Sequence, residues 1–263
     1  NNKFLAQCLQ KEEGMENAVV ITFKAIPAVP PGYNYLSVIS RVRIGYSYTE
    51  EDDDLHFLSL IIKSELTDES IKDIVVDDIV FGEVKFYDAF LPEVERLMDF
   101  TYVPKYFKPP DLSKVVLEDL DERGFINIDK LASLDFEHCR WYLIAVASLH
   151  AVSFAVHKDN PQLVEYIGKE KWFADDMPHS NMFRNMVRSA CIVFIDMIEK
   201  TERFKKHTGV IKRATEDLWI KVVEIRNEPS RFLNVLNHGD AWVANMMFRY
   251  DECGSPEDIA LLD

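Results

Sequence analysis

Four residues near the end of the chain have types and a spacing that suit phosphate chemistry: His238, Gly239, Asp240 and, five residues after the aspartate, Asn245. In that arrangement a carboxylate accepts the proton of a hydroxyl as its oxygen attacks phosphorus. An amide oxygen about one turn away holds a metal ion on the same phosphate. Both groups need rigid supports. The apolar runs at Val235-Leu236 and Met246-Met247-Phe248 flank them, and the pattern predicts a strand on each side. A Gly-Asp turn by itself is commonplace, so the inference depends on what the rest of the chain supplies.

Met246–Tyr250 and Ile259–Asp263, joined by a turn holding Gly254 and Pro256, read as a hairpin whose return brings Asp263 beside Asn245. A second carboxylate there would complete a magnesium site. The same chemistry needs a cation on the α- and β-phosphates. Lys63 ends the apolar run of the third predicted strand, where an ammonium calls for an acidic partner, and Glu83 on the next predicted helix is the candidate. The turn Gly32–Ser37, with Gly32, Asn34 and Ser37, stands between the first two strands, where backbone N–H groups would cover phosphates. Each feature also has an ordinary reading: a lysine closing a strand usually snorkels to solvent, and Glu83 or Asp263 reads equally as a solvated acid. Their order along the chain carries the inference. His150 reads as a structural histidine bonded to the Asp240 region, and Trp242 as core or pocket wall. A hydrolase reading lacks the GxSxG elbow.

The elements that must position these groups follow from periodicity. Strands are expected at Ala18–Ile26, from Val38 to Tyr48, and at Leu55–Leu66, Tyr102–Phe107 and Lys114–Leu120. On the second strand Val38, Val42, Ile44, Tyr46 and Tyr48 share one face, with Arg41, Arg43 and Ser47 on the other. A helix is expected over Asp77–Met98, kinked or divided by Pro92. Glu118–Gly124 reads as a hinge. Helices then follow at Asp135–His157, with a Ser133/Asp135 cap, and roughly at Ser180–Lys200 and Val210–Asn227. The class is α+β: a lobe of five strands and one helix over 1–118, and a mostly helical lobe with the Asp240 loop over 119–263.

A chain of 263 residues, 48% hydrophobic, can bury one large core or two modest ones. The net charge of −15 argues against binding a nucleic-acid backbone, and suits a cationic ligand or simply solubility. Cys8, Cys139, Cys191 and Cys253 are scattered, which argues against a zinc site or a disulfide framework and fits a reducing cytoplasm. No apolar run of span length and no signal-peptide core is apparent, so a cytoplasmic protein without a membrane span is expected. No protein partner is evident. The chain stops inside an apolar, strand-like run, ALLD, and is expected to be truncated.

Taken together, VLNHGDAWVANMMFRYD, PEDIALLD, GYNYLSVISRVRI, FGEVKFYDAFLPEVERL, VVLEDLDERGF and VASLHAVSFA resemble the ecdysteroid kinase-like (CHK kinase-like) family, related to aminoglycoside phosphotransferases and choline kinases. The resemblance covers nearly the whole chain. It implies a two-lobed protein-kinase-like fold, ATP with Mg2+, and phosphorylation of a small-molecule hydroxyl such as that of an ecdysteroid or another lipophilic alcohol. By the same resemblance Asp240 looks like the base, Asn245 and Asp263 the metal ligands, Lys63 and Glu83 the phosphate-gripping pair, and Glu118 with Leu120 the adenine-contacting hinge. A choline- or aminoglycoside-type acceptor is one alternative; a catalytically inactive kinase-like binding protein is another.

Overall fold

The alternation of apolar side chains decides which way each strand of the N-terminal sheet faces. The computed structural model describes residues 1–30, 37–65, 82–129, 131–169, 173, 180–228 and 233–262. Strands β1 (Val19–Pro27), β2 (Ser37–Ser47), β3 (His56–Glu65) and β4 (Lys114–Glu118) form an antiparallel sheet in that order. On one face Val42, Ile44, Tyr46, Leu60 and Val116 pack with Leu5, Cys8 and Leu9 of an N-terminal helix, α1 (Asn2–Leu9). On the other face Val115 and Leu117 pack with Val84, Tyr87, Phe90 and Val94 of a helix, α2, over 82–95. Val38, grouped with the inner face from its sequence period, is exposed, because the strand runs past the edge of the core.

Helix α2 comprises an α-helical turn over 82–85, a π-helical turn Phe86–Phe90 and an α-helical turn Leu91–Glu95. The π-turn sits where Pro92 would otherwise drive its ring into the carbonyl four residues back, and the wider turn relieves that clash. Leu91 accordingly donates to the Phe86 carbonyl, five residues back.

A second sheet, β5 (Ile126–Asn127), β6 (Met246–Tyr250) and β7 (Pro256–Leu261), is also antiparallel. The helix read from Asp135 is α3 (Phe136–Asp159), and the Asp135 carboxylate caps it by accepting from the His138 N–H. By length and composition α3 is long and apolar enough to cross a membrane, where no apolar run of that length was expected. Its buried residues Ala145, Leu149, Val152, Ser153 and Val156 are those of a core helix. Short α4 (Pro161–Ile167) follows it.

Two expectations are corrected here. Among the described residues the N-terminal sheet has four strands rather than five: the run Tyr102–Phe107 makes only an isolated bridge, Tyr106 to Leu117. Pro104 has no N–H to give a ladder, and the run changes partners midway. The Tyr102 carbonyl accepts from Leu261 of β7, while Phe107 N–H donates to Val116 of β4. The run at Val235-Leu236, expected as a strand, forms none; Ser153 of α3 accepts from the Leu236 N–H instead.

The chain divides into two compact units, Asn1–Ile167 with Val235–Asp263, and Gly168–Asn234. The boundary expected after Glu118 falls inside the first. The second holds α5 (Ser180–Lys200), α6 (Thr208–Glu216) and α7 (Leu218–Asn227). The single helix expected over Val210–Asn227 is thus two, broken at Asp217, whose φ of −109° and ψ of 17° leave the helical basin. Within this unit Asn227 donates to the Phe173 carbonyl at 3.0 Å.

Candidate functional site

Lys63 and Ile61 are two residues apart on β3 and so share the face that packs on α2. Lys63 lies opposite Ile39 of β2 and Val115 of β4, inside the sheet. Its Nζ meets Glu83 Oε1 at 2.7 Å, with only 10% and 17% of the two side chains exposed. An ammonium removed from water in this way needs a carboxylate partner, and the strand period together with the helix on that face supplies one. Ser37 begins β2, opposite Glu65. Gly32 and Asn34 lie outside the described residues.

The Asp240 loop is built from α3 and the β6–β7 hairpin. Buried Ser153 of α3 accepts from the Leu236 N–H at 3.0 Å, and His150 Nε2 lies 3.1 Å from Asn237 Oδ1. Leu236 itself packs into the core between α2 and α3. His150 is therefore bonded to the loop as its sequence reading has it, though half-buried rather than buried. Ser153 was not identified in advance. A serine on an amphipathic helix carries no local signal that its hydroxyl will meet a main-chain N–H 83 residues away.

Gly239 has φ +88°, a conformation in which a side chain costs about 1–2 kcal/mol. A Cβ there would meet nothing within 4 Å, so the cost of adding one is conformational rather than steric. Gly239→Ala should lower the unfolding free energy by about that amount, measured by urea denaturation. An unchanged midpoint would show that the turn relaxes without strain.

After the turn, Trp242 N–H returns to the Asp240 carbonyl and Asn245 N–H to the Trp242 carbonyl, closing the short 3-10 turn Val243–Asn245. Asn245 is buried, and its Nδ2 donates to the Asp240 main-chain oxygen at 3.1 Å and to Asp240 Oδ2 at 3.0 Å. Both partners are acceptors, which fixes the amide with its nitrogen toward Asp240 and leaves Oδ1 as the outward group. Leu262 N–H bonds to the Asn245 carbonyl at 2.9 Å. Asp263 itself lies outside the described residues. Asp240 and Trp242 are exposed at the surface of the loop.

His238 connects the two halves of the site electrostatically. Burial is the largest influence and holds its imidazole pKa below the ordinary value. A backbone interaction with Leu262 and the Asp240 carboxylate oppose that shift, and Lys63 adds to it. Lys63 of β3 and His238 of the loop belong to one compact unit.

The hinge residues lie at the end of β4. Glu118 is paired with Leu60; its main-chain N–H bonds to the Lys105 carbonyl, and its Oε1 accepts from Lys105 N–H and Arg123 Nη1, each at 2.9 Å. Leu120 is buried with Phe125, Met247 and Ala260, so one small core joins the hinge to the hairpin that carries Asn245. Between them, Asp119 is buried against Arg41 and Ser59. The sequence reading placed Arg41 on the polar face of β2 with no partner, because nothing local specifies one 78 residues away.

A magnesium ion fits this donor set. Among the described residues the amide oxygen of Asn245 and the carboxylate of Asp240 are hard ligands, the kind Mg2+ takes in small number beside water and phosphate, and no group of three or more His, Cys, Asp or Glu is gathered there. The Lys63–Glu83 pair is in turn the arrangement that fixes an ammonium for a phosphate. A comparison with curated proteins gives no match. The profile of the ecdysteroid kinase-like family matches residues 31–263, a span that includes Lys63, Glu83, the hinge and the Asp240 loop. The chain thus belongs to the ecdysteroid kinase-like family, a family of small-molecule kinase-like proteins.

Proposed function

We propose that this protein transfers the γ-phosphate of ATP to a hydroxyl of a small lipophilic alcohol, an ecdysteroid being the class the family suggests. The supporting observation is that one compact unit holds both the buried Lys63–Glu83 pair and the turn in which Asn245 fixes Asp240. In the reaction the acceptor hydroxyl gives its proton to the Asp240 carboxylate. A bond forms from the acceptor oxygen to the γ-phosphorus, and the bond from that phosphorus to the β–γ bridging oxygen breaks, releasing ADP. Lys63 holds the α- and β-phosphates, kept in place by Glu83. Asn245 and Asp263 would hold a magnesium ion, which would supply neutralisation of phosphate charge. Glu118 and Leu120 contact the adenine.

The net charge of −15 supports a second acceptor class, cationic amino-alcohols of the choline or aminoglycoside kind. Both are tested by supplying the full-length protein with γ-labelled ATP and magnesium, and with panels of neutral sterols and of amino-alcohols. Label in the sterol panel is the expected result; label only in the amino-alcohols would move the acceptor to the second class. Mg-ATP at one hundred times its Kd should stabilise the fold by about 2.7 kcal/mol, visible as a rise in Tm. Stabilisation without transfer to either panel would favour a nucleotide-binding protein that is not a kinase, and no rise at millimolar nucleotide would remove ATP altogether.

A further inference from the structure

Asp119 is the most deeply buried acidic side chain in any described ion pair, with 2% of its side chain exposed. A carboxylate in that position is costly unless its oxygens are satisfied. Two strands satisfy it. Arg41 of β2 brings Nε to 2.7 Å from Oδ2 and donates from Nη2 to Oδ1 at 3.0 Å. Ser59 of β3 donates its hydroxyl to Oδ2 at 2.6 Å, and Asp119 N–H goes to the Ser59 carbonyl. The same guanidinium reaches Asp121, one turn further on.

The position of this clamp gives it a consequence beyond stability. Asp119 stands between Glu118 and Leu120, and both neighbours are anchored as well, Glu118 to Lys105 and Leu120 in the core with Met247. Fixing the middle residue leaves the main-chain edge of 118–120 one placement. Glu118 pairs with Leu60, and Lys63 follows three residues along the same strand, about 10 Å away. That is the span of a nucleoside between a phosphate held by Lys63 and a base at the hinge. A main-chain edge discriminates between purines only if it is held to within about 0.5 Å, since adenine and guanine present opposite donor and acceptor patterns on the edge it reads.

We infer that Arg41, Asp119 and Ser59 are positioning residues that set the base selectivity of the nucleotide site by holding the 118–120 main chain in register with β2 and β3. The inference rests on the ATP reading above. A lysine at position 41 keeps the charge but loses the Nη2 donor that reaches Asp119 Oδ1, and Ser59→Ala removes one hydroxyl from the same carboxylate.

Dissociation constants for ATP, GTP and inorganic tripolyphosphate, measured by calorimetry on the full-length wild type and on Arg41→Lys, Asp119→Asn and Ser59→Ala, test the inference. The expected result is that ATP affinity and the ATP-over-GTP preference both fall about tenfold in Arg41→Lys and Asp119→Asn, and less in Ser59→Ala. Tripolyphosphate affinity and kcat at saturating ATP should stay near wild type. Should Asp119→Asn fail to fold, Arg41→Lys and Ser59→Ala carry the measurement. An unchanged ATP-over-GTP preference in variants that bind ATP would overturn the inference alone. So would a parallel loss of tripolyphosphate and ATP, which marks general loosening. A wild type that binds tripolyphosphate but discriminates against neither purine would also overturn it. A wild type that binds no ATP would sink the phosphotransfer reading first, and the clamp with it.

Discussion

Asparagine in place of Asp240 should lower turnover roughly 10²–10⁴-fold, the usual worth of a positioned general base, while binding of Mg-ATP persists. The substitution is a clean one in this loop. Asn245 Nδ2 donates to the Asp240 main-chain oxygen and to one side-chain oxygen, and an asparagine keeps an acceptor oxygen for the second of these bonds. Gly239, the 3-10 turn and the Leu262 bond to Asn245 involve no Asp240 side-chain atom. The change therefore removes basicity and negative charge while the turn keeps its support. Steady-state assays at saturating ATP, together with a nucleotide titration, separate the two effects. Turnover close to wild type would take Asp240 out of the base role. Loss of nucleotide binding in step with turnover would mean that it acts mainly as a metal ligand.

Methionine at Lys63 should have two consequences that a second substitution separates. A phosphate charge in contact with an ammonium is worth about 4 kcal/mol at an effective dielectric of 20. Desolvation takes back part of this, so kcat/KM is expected to fall about 10²–10³-fold. The same change leaves Glu83 in a half-buried position without the ammonium it meets at 2.7 Å, and a carboxylate deprived of such a partner destabilises the fold. Lys63→Met should therefore lower Tm as well as activity. In Lys63→Met/Glu83→Gln the orphaned charge is gone, so Tm should recover while kcat/KM stays low. Recovery of activity along with Tm would show that Lys63 matters for folding rather than for phosphate.

Several features of the candidate site were legible in the sequence because their encoding is local. The spacing from Asp240 to Asn245 allows a carboxylate and an amide to meet within one turn, and they do. The hairpin of β6 and β7 follows from two apolar runs around Gly254 and Pro256. An apolar run ending in Lys63, followed by a helix bearing Glu83, was enough to pair them. Helix α3 begins one residue after the expected cap because Asp135 satisfies an N–H within its own first turn. In each case the partners are a few residues apart, or the alternation of a strand points a side chain at the element that covers it.

What the sequence by itself determined was thus the kind of chemistry, the residue types that carry it and the elements that bear them. Which elements abut was decided only by the tertiary structure. Arg41 could be read as exposed until β2, β3 and the hinge were side by side, and only then did Asp119 become its partner. Val235-Leu236 had the composition of a strand but makes no ladder, and its Leu236 N–H goes to the buried hydroxyl of Ser153 on α3. Tyr102–Phe107 likewise spends its main-chain bonds on two different sheets rather than one. The physical reason is the same throughout. Periodicity is set by backbone geometry over a few residues, whereas the partner of a buried polar group is set by which surfaces the hydrophobic cores bring together.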